Sequence, residues 1–307
     1  MPETLWDPQH IGDLTGRTYL VTGANGGIGY YASAQLLEAG ASVILAGRNP
    51  AKLDAAAAAL VTSGAAPDRV QRVAIDTSSI ASARAAASGL DNSIALDGIL
   101  LNAGLVKGPA SRTLTSEGHE LLFATNIAGH FAFVGSALPR LGGEAPRIVW
   151  MGSSTAIKGD YDFTDPESAS NYAPMRAYAG SKAAATMVGV EAQQRLAAVG
   201  SPVLSVIAHP GFSVGGRSPR VPGVNEPTLR ERVTATLVAG MSQTKEQGAH
   251  APVRALTDAA VHGGEFVGPD GYKGPTRRGA APGYTTDRAA GARLWTYLES
   301  ATGVSWP

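Results

Sequence analysis

The chain contains no cysteine. Disulfides, thiolate metal sites and a cysteine nucleophile are thereby excluded, and a reducing compartment fits. Charge is scarce too. Only 16% of residues are charged, and 25 basic side chains balance 25 acidic ones. A neutral chain lacks the field that draws nucleic acid or an anionic membrane surface, so neither is expected as a partner. No apolar run approaches the ~20 residues of a membrane helix, and no span is expected. The polar stretch 1–16 has no basic region followed by an apolar one, so it does not read as a signal peptide. What is there is 307 residues, 44% of them hydrophobic. That excludes disorder for most of the chain and suffices for a sizeable core. At ~150 residues per domain the length admits two domains or one large α/β domain. The expectation is a soluble, cytoplasmic, globular protein.

The first 210 residues alternate short β-rich runs with longer helical ones. Strands are expected at 18–22, 42–46, 70–75, 98–101, 147–151 and 202–207, each short, apolar and bounded by Gly, Pro, Asn or Asp. Such runs suit strands covered on both faces. Between them, 51–60 and 81–87 are Ala-rich and helix-favouring. The stretches 115–138 and 177–198 have helical periodicity, and Ser78 or Ser79 is placed to cap the helix holding Ala81. The rhythm predicts a doubly wound parallel sheet with helices on both faces and a ligand at the carboxyl ends of its strands. It weakens after Ala208. There 211–227 reads as a loop, 228–244 as a helix, 263–267 as a last strand, 272–283 as another loop and 287–300 as a terminal helix. No linker-like composition sets this part off. One domain over 1–307 is expected, with an N-terminal arm (1–16) and a C-terminal elaboration (211–307).

Thr22-Gly23-Ala24-Asn25-Gly26-Gly27-Ile28-Gly29 follows the first strand and opens a helix. Glycines there let backbone approach a pyrophosphate, and the helix N-terminus supplies N–H groups. Gly27-Ile28-Gly29-Tyr30-Tyr31-Ala32 fits the G-x-G-x-x-[GA] fingerprint but starts late. A register beginning at Gly23, G-x-x-x-G-x-G, suits the strand end better. The alternative is an ordinary glycine-rich turn. The second strand ends Leu45-Ala46-Gly47-Arg48-Asn49, without the acid that NAD enzymes usually place there. The fork of Arg48 suits a 2′-phosphate, which favours NADP(H) over NAD(H); the alternative is a solvated arginine.

Tyr178-Ala179-Gly180-Ser181-Lys182 begins a helix and puts Tyr178 and Lys182 on one face. Tyrosine, with an ordinary pKa of ~10, is a poor base at neutral pH, and an adjacent ammonium favours its phenolate. Alone the spacing is weak evidence, since a surface helix pair gives the same pattern. Gly152-Ser153-Ser154 closes the fifth strand, where a serine can donate to a substrate oxygen or simply cap a turn. Asn126 lies inside a helical stretch. It either marks a local irregularity holding a water or is a satisfied surface residue.

With Asp76, Asn102-Ala103-Gly104 and His209-Pro210-Gly211, these pieces occur in one order over about two-thirds of the chain. The sequence resembles the short-chain dehydrogenase/reductases, whose fold is a Rossmann domain. The stretch Asn126-Ile127-Ala128-Gly129-His130-Phe131, the insert between Ser154 and Tyr178, and His209-Pro210-Gly211 look most like the retinol-dehydrogenase-like branch. The resemblance implies hydride transfer between an alcohol and a ketone or aldehyde. Tyr178 would be the acid/base. Lys182 would bind the nicotinamide ribose. Ser154 would polarise the carbonyl, and Asn126 would hold a water joining Lys182 to a proton relay. Gly23, Asn25, Gly27, Ile28 and Gly29 would cradle the cofactor. Asn102, Ala103 and Gly104 would line its adenosine ribose, Asp76 would meet the adenine, and Pro210 and Gly211 would border the nicotinamide. A homodimer or homotetramer is the habit of such proteins. Two departures stand out. Ser213 occupies the region where relatives carry a carboxamide-binding Thr, and Gly26 stands where many NADP-linked relatives have a basic residue.

The insert 155–177 carries Tyr161, Phe163 and Tyr172 with Asp160, Asp162 and Asp165 interleaved. With Ser154 and Phe212 it would wall an apolar pocket for a lipophilic substrate, or its aromatics would pin the loop to the body. The six histidines have no metal-ligand spacing. Two other classes remain. A noncatalytic dinucleotide-binding sensor would have no need of Ser154, Tyr178 and Lys182. A sugar-nucleotide epimerase or dehydratase would space its glycines differently.

Overall fold

The computed structural model describes residues 6–157 and 161–307. Asp160 of the insert therefore lies outside the described residues. Strands β1 (Thr18–Thr22), β2 (Ser42–Gly47), β3 (Val70–Ala74), β4 (Gly98–Leu101), β5 (Arg147–Met151) and β6 (Leu204–Ala208) fall where the apolar runs predict them, within two residues. Helices α1 (Gly27–Glu38), α2 (Pro50–Thr62), α3 (Ile80–Ser88), α4 (Leu121–Phe123), α5 (Gly129–Ala137) and α6 (Pro174–Ala198) lie between them. Asn49 caps α2 by accepting from Lys52 N at 3.1 Å, and Pro50 supplies a first helical residue with no N–H to satisfy. Ser79, not Ser78, caps α3.

The C-terminal part adds β7 (Ser213–Val214), α7 (Leu229–Leu237), β8 (Gln243–Thr244), α8 (Lys245–Gly248), α9 (His250–Thr257), β9 (Phe266–Pro269), β10 (Thr276–Gly279) and α10 (Arg288–Thr302). The main sheet runs β10-β9-β6-β5-β4-β1-β2-β3 and is parallel but for β10, which pairs antiparallel with β9. Strand residues alternate between two cores. Leu20, Ile148 and Trp150 face α5, α6 and α10, whereas Val21, Val149 and Met151 face α1, α2 and α9. On the first side Phe131 meets Trp295 edge-on at 4.9 Å, and Trp306 closes over both. This doubly wound sheet is the expected α/β architecture.

Several expectations need correction, and one helix was not expected at all. The helix read over 115–138 starts only at Leu121. Glu120 stands at its N-cap and accepts from Leu122 N and Phe123 N at 3.0 and 2.7 Å, because residues 113–120 form a turn first. The helix read over 228–244 stops at Leu237, since Gln243 and Thr244 are taken into pairing with β7. The loop read over 272–283 contains β10, an edge strand whose Arg277 and Arg278 gave no apolar signal. Helix α9 was hidden by Pro252 in its first turn and by Arg254, which is 2% exposed and bonded to Thr276 O at 2.6 Å. Among the described residues one segment, Leu121–Arg140, is long and apolar enough to cross a membrane by length and composition, but most of it is buried in the core.

Candidate active site

Strand order reverses between β1 and β4, whose carboxyl ends therefore open a crevice. Gly23 ends β1 with a φ of +67°, and a Cβ there would lie 2.9 Å from Ala103 Cα and from Asn102 Nδ2. Only glycine allows this approach. Asn102 Nδ2 donates to Thr22 O at 2.8 Å, and Ala103 N donates to Thr22 Oγ1 at 2.9 Å, so the turn after β4 is laced to the end of β1. Helix α1 begins at Gly27 with no side-chain cap and no acid in its first turn. Its leading N–H groups face the crevice as an anion site. Asn25 and Ile28 belong to the same turn, and Asn25 Oδ1 lies 3.1 Å from where a Cβ on Gly47 would stand.

At the far side of this turn Arg48 is exposed, with Nη1 3.9 Å from Asp76 Oδ2. Asp76 also accepts from Ser78 N at 3.0 Å and Ser78 Oγ at 2.6 Å. A long, exposed ion pair is weak, so Arg48 remains available to another anion.

The second half of the site comes from β5 and α6. Ser153 is buried, and its Oγ accepts from Thr155 N at 3.2 Å and from Thr155 Oγ1 at 2.9 Å, closing the turn Ser154–Ala156. That work occupies Ser153 and leaves the neighbouring Ser154 hydroxyl outside the turn's hydrogen bonds. Tyr178 is 9% exposed and packs with Leu122 and Ala177. Lys182, one turn later, is buried and donates to Met151 O at 2.9 Å. Burial pushes its pKa down to about 8.

Asn126 joins the two halves. It sits in a π turn, Ala124–Ala128, the local irregularity its mid-helix position suggested. Its amide is held by three hydrogen bonds. Oδ1 accepts from Leu105 N at 2.8 Å, while Nδ2 donates to Leu105 O at 3.1 Å and Ser181 Oγ at 2.9 Å. Ser181 in turn donates to Tyr178 O at 2.8 Å. A Cβ on Gly104 would stand 2.9 Å from Asn126 Oδ1 and 3.6 Å from Lys182 Nζ. The structure thus gathers Gly104, Asn126, Tyr178 and Lys182 around the β1–β4 crevice.

Sequence reasoning missed His130, four residues after Asn126 on the same helical stretch. Its Nδ1 lies 3.3 Å from Asn126 O and its Nε2 3.1 Å from Thr22 Oγ1. A carbonyl can only accept, so Nδ1 carries the proton and Nε2 is an acceptor that competes with Leu100 O, at 3.3 Å, for the single proton of the Thr22 hydroxyl. Burial, with the nearby Lys182 charge, pushes His130 down to about 3 and keeps it neutral. The i,i+4 spacing was the available signal.

Ser213 Oγ donates to Pro210 O at 2.8 Å, inside the turn formed by Pro210 and Gly211. Tyr161 and Phe163 pack with Tyr284, at 5.3 and 6.0 Å between ring centroids, and line a cavity against α6. Phe212 lines a different cavity of about 830 Å³ with Lys107, Val224 and Val238. Tyr161 and Phe163 thus line one cavity and Phe212 another, with Ser154 among the lining residues of neither. Tyr161 and Phe163 pin the insert to the C-terminal segment, whereas Tyr172 packs against Leu122, Ala177 and Tyr178 and donates to Pro109 O at 3.0 Å.

The buried lysine makes a pH prediction. Lys182 holds a proton in the unfolded chain up to its ordinary value, 10.5, but only to about 8 when folded. Between those values the unfolded state binds more protons, so folding stability contributed by this site rises with pH. Denaturant unfolding of the apoprotein from pH ~8 to ~9.5 should show a positive slope that Lys182→Met removes. Parallel slopes for the two proteins would refute the assignment.

The sequence model of the family described as short chain dehydrogenase matches residues 17–213. The short-chain dehydrogenase/reductase pkfC of Emericella nidulans is 30% identical over 306 residues, covering 94% of each chain. Mouse polyprenol dehydrogenase is 33% identical over 64% of this chain and 59% of its own length, and mouse retinol dehydrogenase 14 is 34% identical over 66% and 62%. For those two relatives, then, the match spans less than two-thirds of their own length. An uncharacterized protein from Mycobacterium paratuberculosis superposes with a TM-score of 0.80 at 30% identity, covering 99% of this chain and 100% of that one. The RhlG/NADP active-site complex of Pseudomonas aeruginosa gives 0.64 at 26%, covering 84% and 96%.

Proposed function

The chain belongs to the short-chain dehydrogenase/reductase family, whose members are oxidoreductases acting on CH–OH groups, and from that premise we propose that it is an NADP-dependent enzyme interconverting a lipophilic alcohol and its ketone or aldehyde. The observation carrying this reading is the placement of Tyr178 one helical turn from the buried Lys182, against Gly104 and Asn126 and beside an uncapped glycine-rich helix start.

The residues present fit a dinucleotide. Gly23 and Gly29 let the glycine turn lie directly against Asn102 and Ala103, where a Cβ at either would clash, and the N-terminus of α1, with no side-chain cap, offers N–H donors to a diphosphate. Gly23, Asn25, Gly27, Ile28 and Gly29 would hold the phosphates, with Asn102, Ala103 and Gly104 on the adenosine ribose side. Asp76 would lie beside the adenine, and Pro210, Gly211 and Ser213 beside the nicotinamide. Once bound there, the nicotinamide supplies or accepts the hydride. Lys182 orients its ribose and adds positive charge beside Tyr178. Tyr178 gives a proton to the developing alkoxide in reduction and takes it back in oxidation. Ser154 donates to the same oxygen and stabilises its charge. Asn126 sets the geometry by tying Leu105 to Ser181. The retinol and polyprenol dehydrogenases among the relatives support a lipophilic substrate.

Arg48 supports the preference for NADP, as does the NADP complex among similar structures. Titration with NADPH and NADH, followed by nicotinamide fluorescence, tests it. Arg48→Asp should weaken NADPH by roughly 10- to 100-fold, the loss of one charge-assisted contact, and leave NADH nearly unchanged. Equal affinities for both dinucleotides in the parent protein would remove the preference. No binding of either would remove the enzymatic reading.

A further inference from the structure

Lys245 is the first residue of α8, far along the chain from the glycine loop, yet its side chain ends over that loop. A Cβ built on Gly27 would lie 3.5 Å from Lys245 Nζ and 3.6 Å from its Cδ. A Cβ on Gly215, in the segment after Pro210-Gly211, would lie 3.2 Å from the same Nζ. The ammonium thus stands in a gap between two glycine backbones, and any side chain at either position would crowd it.

Its backbone is anchored. Lys245 N donates to Ser218 Oγ at 2.8 Å, and Thr244 and Gln247 close a reciprocal capping box around it. Gln35 Nε2, on α1, donates to Glu246 O at 3.1 Å and ties the two helices together. The ammonium itself forms no hydrogen bond or ion pair among the described residues. Glu231, an acid close enough to feel its charge, is already committed. That carboxylate accepts from Thr228 N at 2.8 Å and Thr228 Oγ1 at 2.9 Å as the capping box of α7.

Two positive features therefore face one gap: the uncapped N-terminus of α1 and an ammonium without a counter-charge. Glycine lines both sides, so a bulky anion meets backbone rather than side chains. We propose that Lys245 is a diphosphate-binding residue of the dinucleotide site, supplying from α8 a cation beside Gly27 of the glycine loop. Arg48 serves the 2′-phosphate at the other side of the loop, beside Asp76; Lys245 serves the diphosphate common to both dinucleotides. This inference rests on the dinucleotide reading of the site, and it assigns Lys245 to affinity rather than to the choice between NADPH and NADH.

The test is equilibrium titration of the full-length protein, Lys245→Gln and Lys245→Arg with NADPH and with NADH at low and high salt. A lost charge-assisted contact predicts that Lys245→Gln weakens both dinucleotides by the same factor, roughly 10- to 100-fold. Lys245→Arg should restore most of it, and added salt should weaken the parent protein more than Lys245→Gln. Melting curves of the apoproteins should coincide. Unchanged affinity in Lys245→Gln overturns the proposal while leaving the dinucleotide site intact. A loss confined to NADPH overturns it in favour of a 2′-phosphate contact. A loss accompanied by a lower melting temperature and not restored by arginine assigns Lys245 to structure instead. A parent protein that binds neither dinucleotide overturns the site reading and this inference with it.

Discussion

Tyr178→Phe should lower kcat for carbonyl reduction about 10²- to 10⁴-fold, the range for removing a positioned general acid. The ring itself should stay where it is. Tyr178 packs against Leu122 and Ala177, and phenylalanine keeps those contacts. The neighbouring brace, in which Ser181 Oγ bonds Tyr178 O, uses only backbone of this residue and also survives. Dinucleotide affinity should therefore change by no more than about twofold, because the loss lies in the transition state and not in binding. The measurement is single-turnover reduction of an aldehyde or ketone panel, paired with an NADPH titration of the same variant. A variant turning over at more than about one-tenth of the parent rate would take the acid/base role away from Tyr178. A variant that loses NADPH affinity instead would make it a binding residue.

Gly29→Ala should be the most damaging single methyl group in the cofactor cradle. A Cβ at Gly29 would lie 2.5 Å from Gly23 O and 2.6 Å from Asn102 Nδ2, closer than such atoms approach. The carbonyl belongs to backbone, so the turn between β1 and α1 must shift. Overpacking of this kind costs about 1–3 kcal/mol of stability. The larger consequence is for binding. The shift moves the N–H groups at the start of α1 and disturbs the bond from Asn102 Nδ2 to Thr22 O, which sets the β4 turn. A misplacement of about 1 Å costs on the order of 10²-fold where geometry carries function. Calorimetric titration with NADPH and a denaturation curve, run side by side, separate the two effects. Parent-like affinity in Gly29→Ala would show that the loop accommodates the methyl group and that the cradle is looser than its distances indicate.

What could be read without tertiary structure was whatever depends on near neighbours in the chain. The strands β1 to β6 announced themselves as short apolar runs between turn residues, because a strand covered on both faces needs little else. The glycine loop was legible because strand, turn and helix start are contiguous, and Tyr178 and Lys182 because one helical turn separates them. Asn126 betrayed its π turn by being a poor helix residue in an apolar stretch. His130, a helical turn further on, carried the same signal and was passed over. Harder to read was the segment after Ala208. Helix α9 buries an arginine and has a proline in its first turn, and β10 is a polar edge strand, so neither carries a local pattern. Their stability comes from partners far away in sequence.

The sequence by itself determined the family of the fold, the strand order's ligand crevice and the chemical character of its residues, since these follow from local periodicity and from motifs a few residues long. Only the tertiary structure decided which side chains meet. It parted Tyr161 and Phe163 from Phe212, gave the Asn126 amide to Leu105 and Ser181, and set Arg48 near Asp76. It also carried Lys245 back over Gly27, 218 positions away in the numbering, a meeting that no local pattern encodes because it arises from packing of α8 on α1.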